Sequence, residues 1–509
     1  MPKKKKKKKN KLLKRPNILL LLNPIALKSQ INKLETSDFS VASYVKFLLF
    51  SILGFAAFVF IFKLEFIYAL ILLGILVVLL PNIYYLNVRN AYEIQRFMDV
   101  SAYIEQLLYS FKRQPKILVA LQDTAILFED EKHTRLKRCI DEAIQYIQAG
   151  QAEENIYKEA FEIIEFHYGC KRMYKVHEFL VRVESAGGVA EEAISILLKD
   201  RSLWVSRIQG LLQDKNKIRT NVTIGIGLSL LVVAMGTYMI PSNFGITVST
   251  PSQIAKTVTI GLDMIIWYSV QVALGHSLLA VDAITPFKEL ERSYNIVMHE
   301  GVQKKKKRNF AIVGAMIAAL AIVAFFTIGY KPAVLLGFLS ILLATQPQRQ
   351  YKTCFKRIKR EVEKTFPDWM LALALQMQTD NVHVSIVKTA MDAPMILREE
   401  LNIFQDSIEK RPNDLRPYTS FFRKLNITDV LTAMKMLYSM AEFGSSDSQE
   451  QIKGLVNRNT EIMDKAERMR MEDSLAGISF AMLLPMITGT ISLITDLALV
   501  FAHVMSQLA

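Results

Sequence analysis

Three groups of residues in this sequence have types and spacings that could do chemistry. His167, Cys170 and His177 lie in FHYGCKRMYKVH. The first two are three apart, so on a helix they would share a face, and nitrogen and sulfur donors suit a transition metal. A fourth ligand is not evident, and the expectation is a packed helix with no metal. Asp263 and Asp496 each interrupt a hydrophobic run. Paired carboxyls inside a membrane would suit an aspartyl protease. Such enzymes use Gly-x-Gly-Asp, whereas this chain has Ile260-Gly261-Leu262-Asp263 and Leu493-Ile494-Thr495-Asp496. An unpaired ionisable group at depth costs of order a few kcal/mol, so it needs a partner or a task. Asp263 is read as close to the start of its run, making an interhelical hydrogen bond or sitting near the interface. For Asp496 that reading stands beside a second, pairing with a cationic group on an incoming helix. The third group flanks two small-residue turns, Ala186-Gly187-Gly188 and Phe443-Gly444-Ser445-Ser446. It comprises Glu184, Glu191, Glu192, Asp200 and Arg201 at the first turn, and Asp447, Glu450, Arg458 and Glu461 at the second. Such charges are solvated faces of amphipathic helices or contacts for a partner.

The sequence holds no GxxxxGK[ST] loop, no HExxH and no GxSxG. Nucleotide binding through a P-loop, zincin chemistry and a serine-hydrolase elbow therefore have no motif to rest on. Neither a catalytic residue nor a cofactor is expected. Cys139, Cys170 and Cys354 are widely spaced and read as free thiols.

The elements that must position these residues are mostly apolar. Mean hydropathy is +0.22, above the range of ordinary soluble domains. Runs of about 18 or more apolar residues read as spanning helices. They fall at Val45–Phe62, Phe66–Leu86, Val222–Ile240, Val258–Val281, Phe310–Gly329 and Leu475–Leu508, and Pro332–Thr345, a shorter run, counts as a span if its flanking residues help. That gives about seven spans, or eight if the last run, with Pro485 inside it, crosses twice. Net charge is +15, and ten of the first fifteen residues are Lys or Arg. Lys3, Lys4, Lys5, Lys6, Lys7, Lys8 and Lys9 precede the first span. Lys304, Lys305, Lys306, Lys307 and Arg308 precede the fifth. Positive flanks mark the cytoplasmic side and attract anionic lipid headgroups. The expected orientation is N-terminus cytoplasmic and C-terminus outside, in a cytoplasmic (inner) membrane. No aromatic interleaving or base-reading module accompanies the lysines, so nucleic acid is not the expected partner.

Two long polar segments remain, both rich in helix formers. The domain reading is a basic segment 1–44, a membrane hairpin 45–86, a helical domain 87–221, spans 3 and 4 in 222–281, a basic linker 282–308, a second hairpin 309–345, a second helical domain 346–473, and a terminal span 474–509. Thr365-Phe-Pro-Asp368 reads as a helix start and Arg411-Pro412-Asn413-Asp414 as a break. AYIEQLLYSFKRQPKILVALQDTA from Ala102 and PDWMLALALQMQTDNVHVSIVKTA from Pro367 share Leu108/Leu373, Ile117/Val382, Val119/Val384, Leu121/Ile386 and Thr124-Ala125/Thr389-Ala390. The chain thus reads as hairpin, helical domain, span, repeated, with the fourth span restoring sidedness. The fold class is all-α: a polytopic membrane protein with about seven transmembrane helices and two cytoplasmic helical domains. Gly225, Gly227, Gly314, Ala315, Ala318 and Ala319 are positions for close helix approach.

This arrangement resembles the type II secretion F family, the platform proteins of type IV pilus-like machines. The likeness lies in VESAGGVAEEAISILLKDRSLWVSRI from Val183, FPDWMLALALQMQTDNVHVSIVKTAMDAP from Phe366 and SMAEFGSSDSQEQIKGLVNRNTEIMDKAE from Ser439. The texture is closest to Tad pilus platforms, with both halves in one chain. The resemblance implies that the two cytoplasmic helical domains are antiparallel bundles. It also implies a non-enzymatic platform that couples a hexameric cytoplasmic secretion ATPase to extraction and polymerisation of pilin subunits, and a homo-oligomer. The charges beside the two turns become ATPase contacts, and Asp496 a partner for a pilin amino terminus. The rival readings are a polytopic transporter and an intramembrane aspartyl protease.

Overall fold

A computed structural model describes residues 18–32, 34, 40–129, 134–150, 156–186, 191–275, 278–279, 287–327, 329–377, 380–443 and 448–508. Among them every regular element is helical. In chain order these are α1 (Pro24–Asn32), α2 (Val41–Ile61), α3 (Phe66–Arg113), α4 (Ile117–Leu127), α5 (Thr134–Gln148), α6 (Ile156–Tyr168), α7 (Lys171–Ala186), α8 (Glu191–Met239) and α9 (Thr250–Leu274). There follow α10 (Phe287–Met298), α11 (Glu300–Thr327), α12 (Tyr330–Gln376), α13 (Val382–Met391), α14 (Met395–Lys410), α15 (Arg416–Ser420), α16 (Thr428–Phe443), α17 (Ser448–Ser479) and α18 (Leu484–Leu508). Two compact units form: Met1–Gly187 with Leu197–Val281 and Met471–Ala509, and Gly188–Ile196 with Asp282–Arg470.

Among the described residues, five helices are long and apolar enough to cross a membrane: α2, α3, α8, α9 and the stretch Arg458–Gln507 that contains α18. The runs expected at Phe310–Gly329 and Pro332–Thr345 fall on α11 and the start of α12, outside those five. Two of the five are far longer than a crossing requires. The 48 residues of α3 and the 49 of α8 extend about 70 Å each at ~1.5 Å per residue, against a hydrocarbon core of roughly 30 Å. Each is apolar at one end and polar at the other, so one rigid rod joins an apolar environment to a water-facing one.

In the first unit, Ser40 caps α2, its Oγ accepting the Ser43 amide at 3.3 Å. Lys63 takes a left-handed φ of 48° in the turn to α3. The polar half of α3 packs with α4 and α7. The core there is Tyr103, Leu107, Leu108 and Phe111 of α3 against Ile117 and Leu121 of α4, all buried, with Phe161, Ile164, Met173 and Leu180 buried on α6 and α7. In the second unit the core is aromatic. Phe366, Trp369, Phe404, Tyr418, Phe421 and Phe422 are buried together. Phe404 meets Tyr418 edge-on at 5.0 Å, a geometry that matches ring quadrupoles.

Three sequence expectations need correction. α9 begins at Thr250, inside what read as a loop, because Gln253 and Lys256 find partners within the protein and need no water (below). It ends at Leu274, so Asp263 lies mid-helix and not near a start. α12 runs through Thr365–Asp368 with Pro367 in its interior. Arg470 supports the interruption: its Nη2 donates to the Lys364 carbonyl at 2.7 Å and to Asp368 Oδ2 at 2.9 Å, near where the proline withholds a backbone donor. The last apolar run does break, as a 3-10 turn at Phe480–Met482, and α18 then starts with Pro485 as its second residue.

Candidate functional site

α9 and α18 pack together, and polar residues line their meeting faces. On α9 they are Ser252, Lys256, Thr259 and Asp263, spaced four, three and four apart, one face of a helix. On α18 they are Thr488, Ser492 and Asp496, each four from the last. All seven are buried. The helices are antiparallel along this seam. At one end Ser252 Oγ donates to Asp496 Oδ1 at 2.8 Å. At the other, Thr488 Oγ1 donates to Asp263 Oδ1 at 2.7 Å, and Thr259 Oγ1 to the Thr488 carbonyl at 3.4 Å. α8 closes the third side. Ser229 Oγ lies 3.5 Å from Thr488 Oγ1.

Lys256 has no exposed surface. Its Nζ donates to the Thr247 carbonyl at 3.2 Å and stands within electrostatic reach of Asp496. Gln253 Nε2 donates to the carbonyls of Thr247 (3.0 Å) and Lys63 (3.1 Å), and its Oε1 accepts the Glu65 amide at 3.2 Å. Its side chain thereby satisfies the turn between α2 and α3, which otherwise would leave backbone groups unpaired.

Two glycines make the approach possible. A methyl on Gly489 would lie 2.9 Å from Ser229 Cα, and one on Gly236 2.8 Å from Asp496 Oδ2. Of the expected small positions, Gly225 meets the Met482 carbonyl at 3.4 Å and Gly314 meets Ala344 Cβ at 3.4 Å, while Gly227 has nothing within 4 Å. Sequence reasoning missed Lys256, Ser492 and Gly489. The four-residue recurrence of Thr488, Ser492 and Asp496 was the available signal.

The charges beside the two turns are dispersed. Glu184 Oε2 accepts the amide of Ile117 at 2.7 Å, satisfying an orphan donor at the start of α4. Asp200 pairs with Arg172 at 3.2 Å, and Arg201 with Glu105 at 2.8 Å. Glu191 and Glu192 open α8, where carboxylates suit the positive helix end. Arg458 bridges Asp429 at 3.1 Å and Glu461 at 2.7 Å. Glu450 lies in the first turn of α17. Asp447, Gly187, Gly188, the 444–446 turn and Lys3–Lys9 lie outside the described residues. Lys304, Lys305, Lys307 and Arg308 are exposed at the start of α11, and Lys306 is half-buried.

His167, Cys170 and His177 do not converge on a metal; no cluster of metal-ligating residues forms among the described residues. His177 is buried with Nδ1 2.9 Å from Glu165 Oε1 and Nε2 2.9 Å from the Tyr103 hydroxyl. Its ring stacks on Phe161 at 3.9 Å. Burial pushes its pKa down, against the partial pull of Glu165. His167 Nδ1 lies 3.1 Å from Arg135 Nη2. Burial pushes the Cys170 thiol up, the direction of an inert thiol.

In the second unit a cavity of about 640 Å³ is lined by Tyr294, His299, Glu399, Glu400, Arg423 and Lys424, among others. Burial pushes the Glu400 carboxyl up, and the Phe422 amide opposes it. Both signs of charge line the cavity, and no single ligand chemistry emerges from it. No protein-family model, no curated protein and no solved structure matches this chain.

Proposed function

We propose that the chain is the membrane platform of a type IV pilus-like assembly machine, coupling a cytoplasmic hexameric ATPase to the lifting of pilin subunits from the bilayer. The observation that carries the reading is a repeated order of elements. α3, α4, α5 and α7 precede α8, and α12, α13, α14 and α16 precede α17. Ile117 and Val382, aligned in the sequence repeat, are the first residues of α4 and α13. These two helices have 11 and 10 residues, α5 and α14 have 15 and 16, and α7 and α16 have 16 each. On this reading the two sets are two cytoplasmic bundles, each entered and left by a helix continuous with a membrane span. A platform with two such rods has two handles for a motor.

The sixth and seventh crossings are proposed for α11 and α12. Gly314 lets them approach, and the Ser340 hydroxyl donates to the Gly314 carbonyl at 2.8 Å. Phe326, at 81% exposure, Met316, Val334, Phe338 and Ile341 present a large apolar surface, more than water-facing helices tolerate. The cytoplasmic N-terminus, the inner membrane, the anionic lipids at the lysines and a homo-oligomeric state belong to the same reading. Among the ATPase-contact candidates whose side chains are described, Glu191 and Glu461 are exposed, whereas Glu184, Asp200 and Arg201 are engaged inside their bundle. Asp496 is covered by its own helices, so a pilin amino terminus would have to displace Ser252 to reach it.

Purification of the tagged full-length chain in mild detergent, with mass spectrometry of co-purifying proteins, tests the proposal. Recovery of a P-loop secretion ATPase, reduced by Glu191→Lys or Glu461→Lys, supports it. Failure to capture ATPase or pilin even after crosslinking in cells sinks it. The buried seam of α9 and α18 favours a second reading, a transporter, which would instead move a solute across vesicles with no fibre protein present.

A further inference from the structure

The seam contains one group whose chemistry is incomplete. Asp263 is 2% exposed at the middle of a 25-residue apolar helix. Its Oδ1 is bonded to Thr488, but its Oδ2 is buried with no hydrogen-bond partner among the described residues. Ser492 Oγ, one turn along α18 from Thr488, is buried and likewise without a partner. An uncompensated carboxylate at this depth is unstable, and leaving its acceptor oxygen dry adds to that cost. The nearest buried cation on the same face, Lys256, is seven residues away and turned to Thr247 and Asp496. The groups that meet the Asp263 carboxyl are hydroxyls: Thr488 at 2.7 Å, and Ser229 beside it; Thr488 Oγ1 also meets the Pro485 carbonyl, and Thr259 Oγ1 the Thr488 carbonyl. No nitrogen or sulfur donor is among these contacts.

We infer that the Asp263 cluster, between α8, α9 and α18, is a binding site for a dehydrated alkali-metal cation. Oxygen-only donors select a hard ion. A single carboxylate neutralises one positive charge, whereas a divalent ion would leave a net charge buried in the bilayer. Asp263 Oδ2 supplies the charge and the Ser229 and Thr488 hydroxyls the neutral oxygens. The 3-10 break at Phe480–Met482 ends six residues, nearly two helical turns, before Thr488. The inference rests on α9 and α18 lying in a membrane and is independent of the platform reading.

Thermal unfolding of the purified full-length protein, at pH 8 and constant ionic strength in NaCl, KCl or choline chloride, is the test. A ligand that binds only the folded state raises Tm with its concentration. The expected result is a rise of a few degrees in Na+ or K+ over choline, saturating with concentration. Asp263→Asn, which keeps shape and removes charge, abolishes the dependence while keeping helicity by circular dichroism. Thr488→Val keeps the carboxylate and weakens apparent cation affinity by about ten-fold or more. Asp496→Asn leaves the cation response intact. Direct binding of radioactive Na+ to wild type and not to Asp263→Asn gives the same answer without unfolding. Identical Tm in the three salts, or a cation response that survives Asp263→Asn, overturns the inference. A Tm that follows pH alone does so too, assigning the neutralising role to a proton.

Discussion

His177 shows how a residue that looks like a ligand becomes part of a core. Its two nitrogens are taken by Glu165 and Tyr103, and its face by Phe161. Burial holds its pKa below the value near 6.5 expected in the unfolded chain. As pH falls through about 6.5 the unfolded state therefore takes up a proton that the folded state refuses, and stability declines. Above that pH both states are neutral at this ring and the stability is fully present. The first prediction is that amide protection in residues 87–221, exchange taken relative to the intrinsic rate at each pH, falls between pH 7 and pH 5.5. His177→Gln, which cannot titrate, flattens that profile even if it lowers stability throughout. A profile unchanged by the substitution would mean that other groups set it. Sequence spacing could place His167 and Cys170 on one face, but not foresee that Glu165 and Tyr103 would claim His177, because Tyr103 is 74 positions away.

At the scale of elements, helix existence was legible from composition and apolar run length, and helix ends less so. Phe66 and the Arg411–Asp414 break fell where charge and turn chemistry agree. The interior Pro367 and the start of α9 did not, because distant side chains compensate. Arg470 reaches a carbonyl near Pro367 from α17, and Thr247 and Lys63 satisfy Gln253. Glycines show the same limit. The sequence reading singled out Gly227 and passed over Gly489, yet of the two only Gly489 has a neighbouring helix backbone within 3 Å of an added methyl. Gly489→Ala is predicted to destabilise the α8–α18 contact by about 1–3 kcal/mol through overpacking. Gly227→Ala should be neutral or stabilising by up to about 1 kcal/mol, since alanine is the better helix former. Thermal melts of the two variants side by side decide this; equal effects would contradict the close approach.

At the scale of the whole molecule, what distinguishes this chain is continuity: α3, α8 and α12 are each more than twice as long, at the ordinary rise per residue, as a single crossing is deep. A rigid rod transmits displacement only while its backbone hydrogen bonds are unbroken. Lys217 lies in α8 between the buried Trp204 and Ile208 of the polar part and the apolar run from Val222. Lys217→Pro would remove one backbone donor, clash with the preceding turn and cost about 3 kcal/mol locally, leaving the core of either half in place. If the platform reading holds, this variant still recovers the ATPase in a pull-down, because the grip is intact, yet fibre assembly falls by an order of magnitude or more. Lys217→Ala, which preserves the helix and removes the same charge, should assemble fibres normally. Loss of ATPase capture in Lys217→Pro would show that the bundle itself had failed, and the stroke would then have to be tested at a position nearer Val222. Normal assembly with a kinked α8 would rule out this rod as the transmission and leave α3 and α12 to carry it.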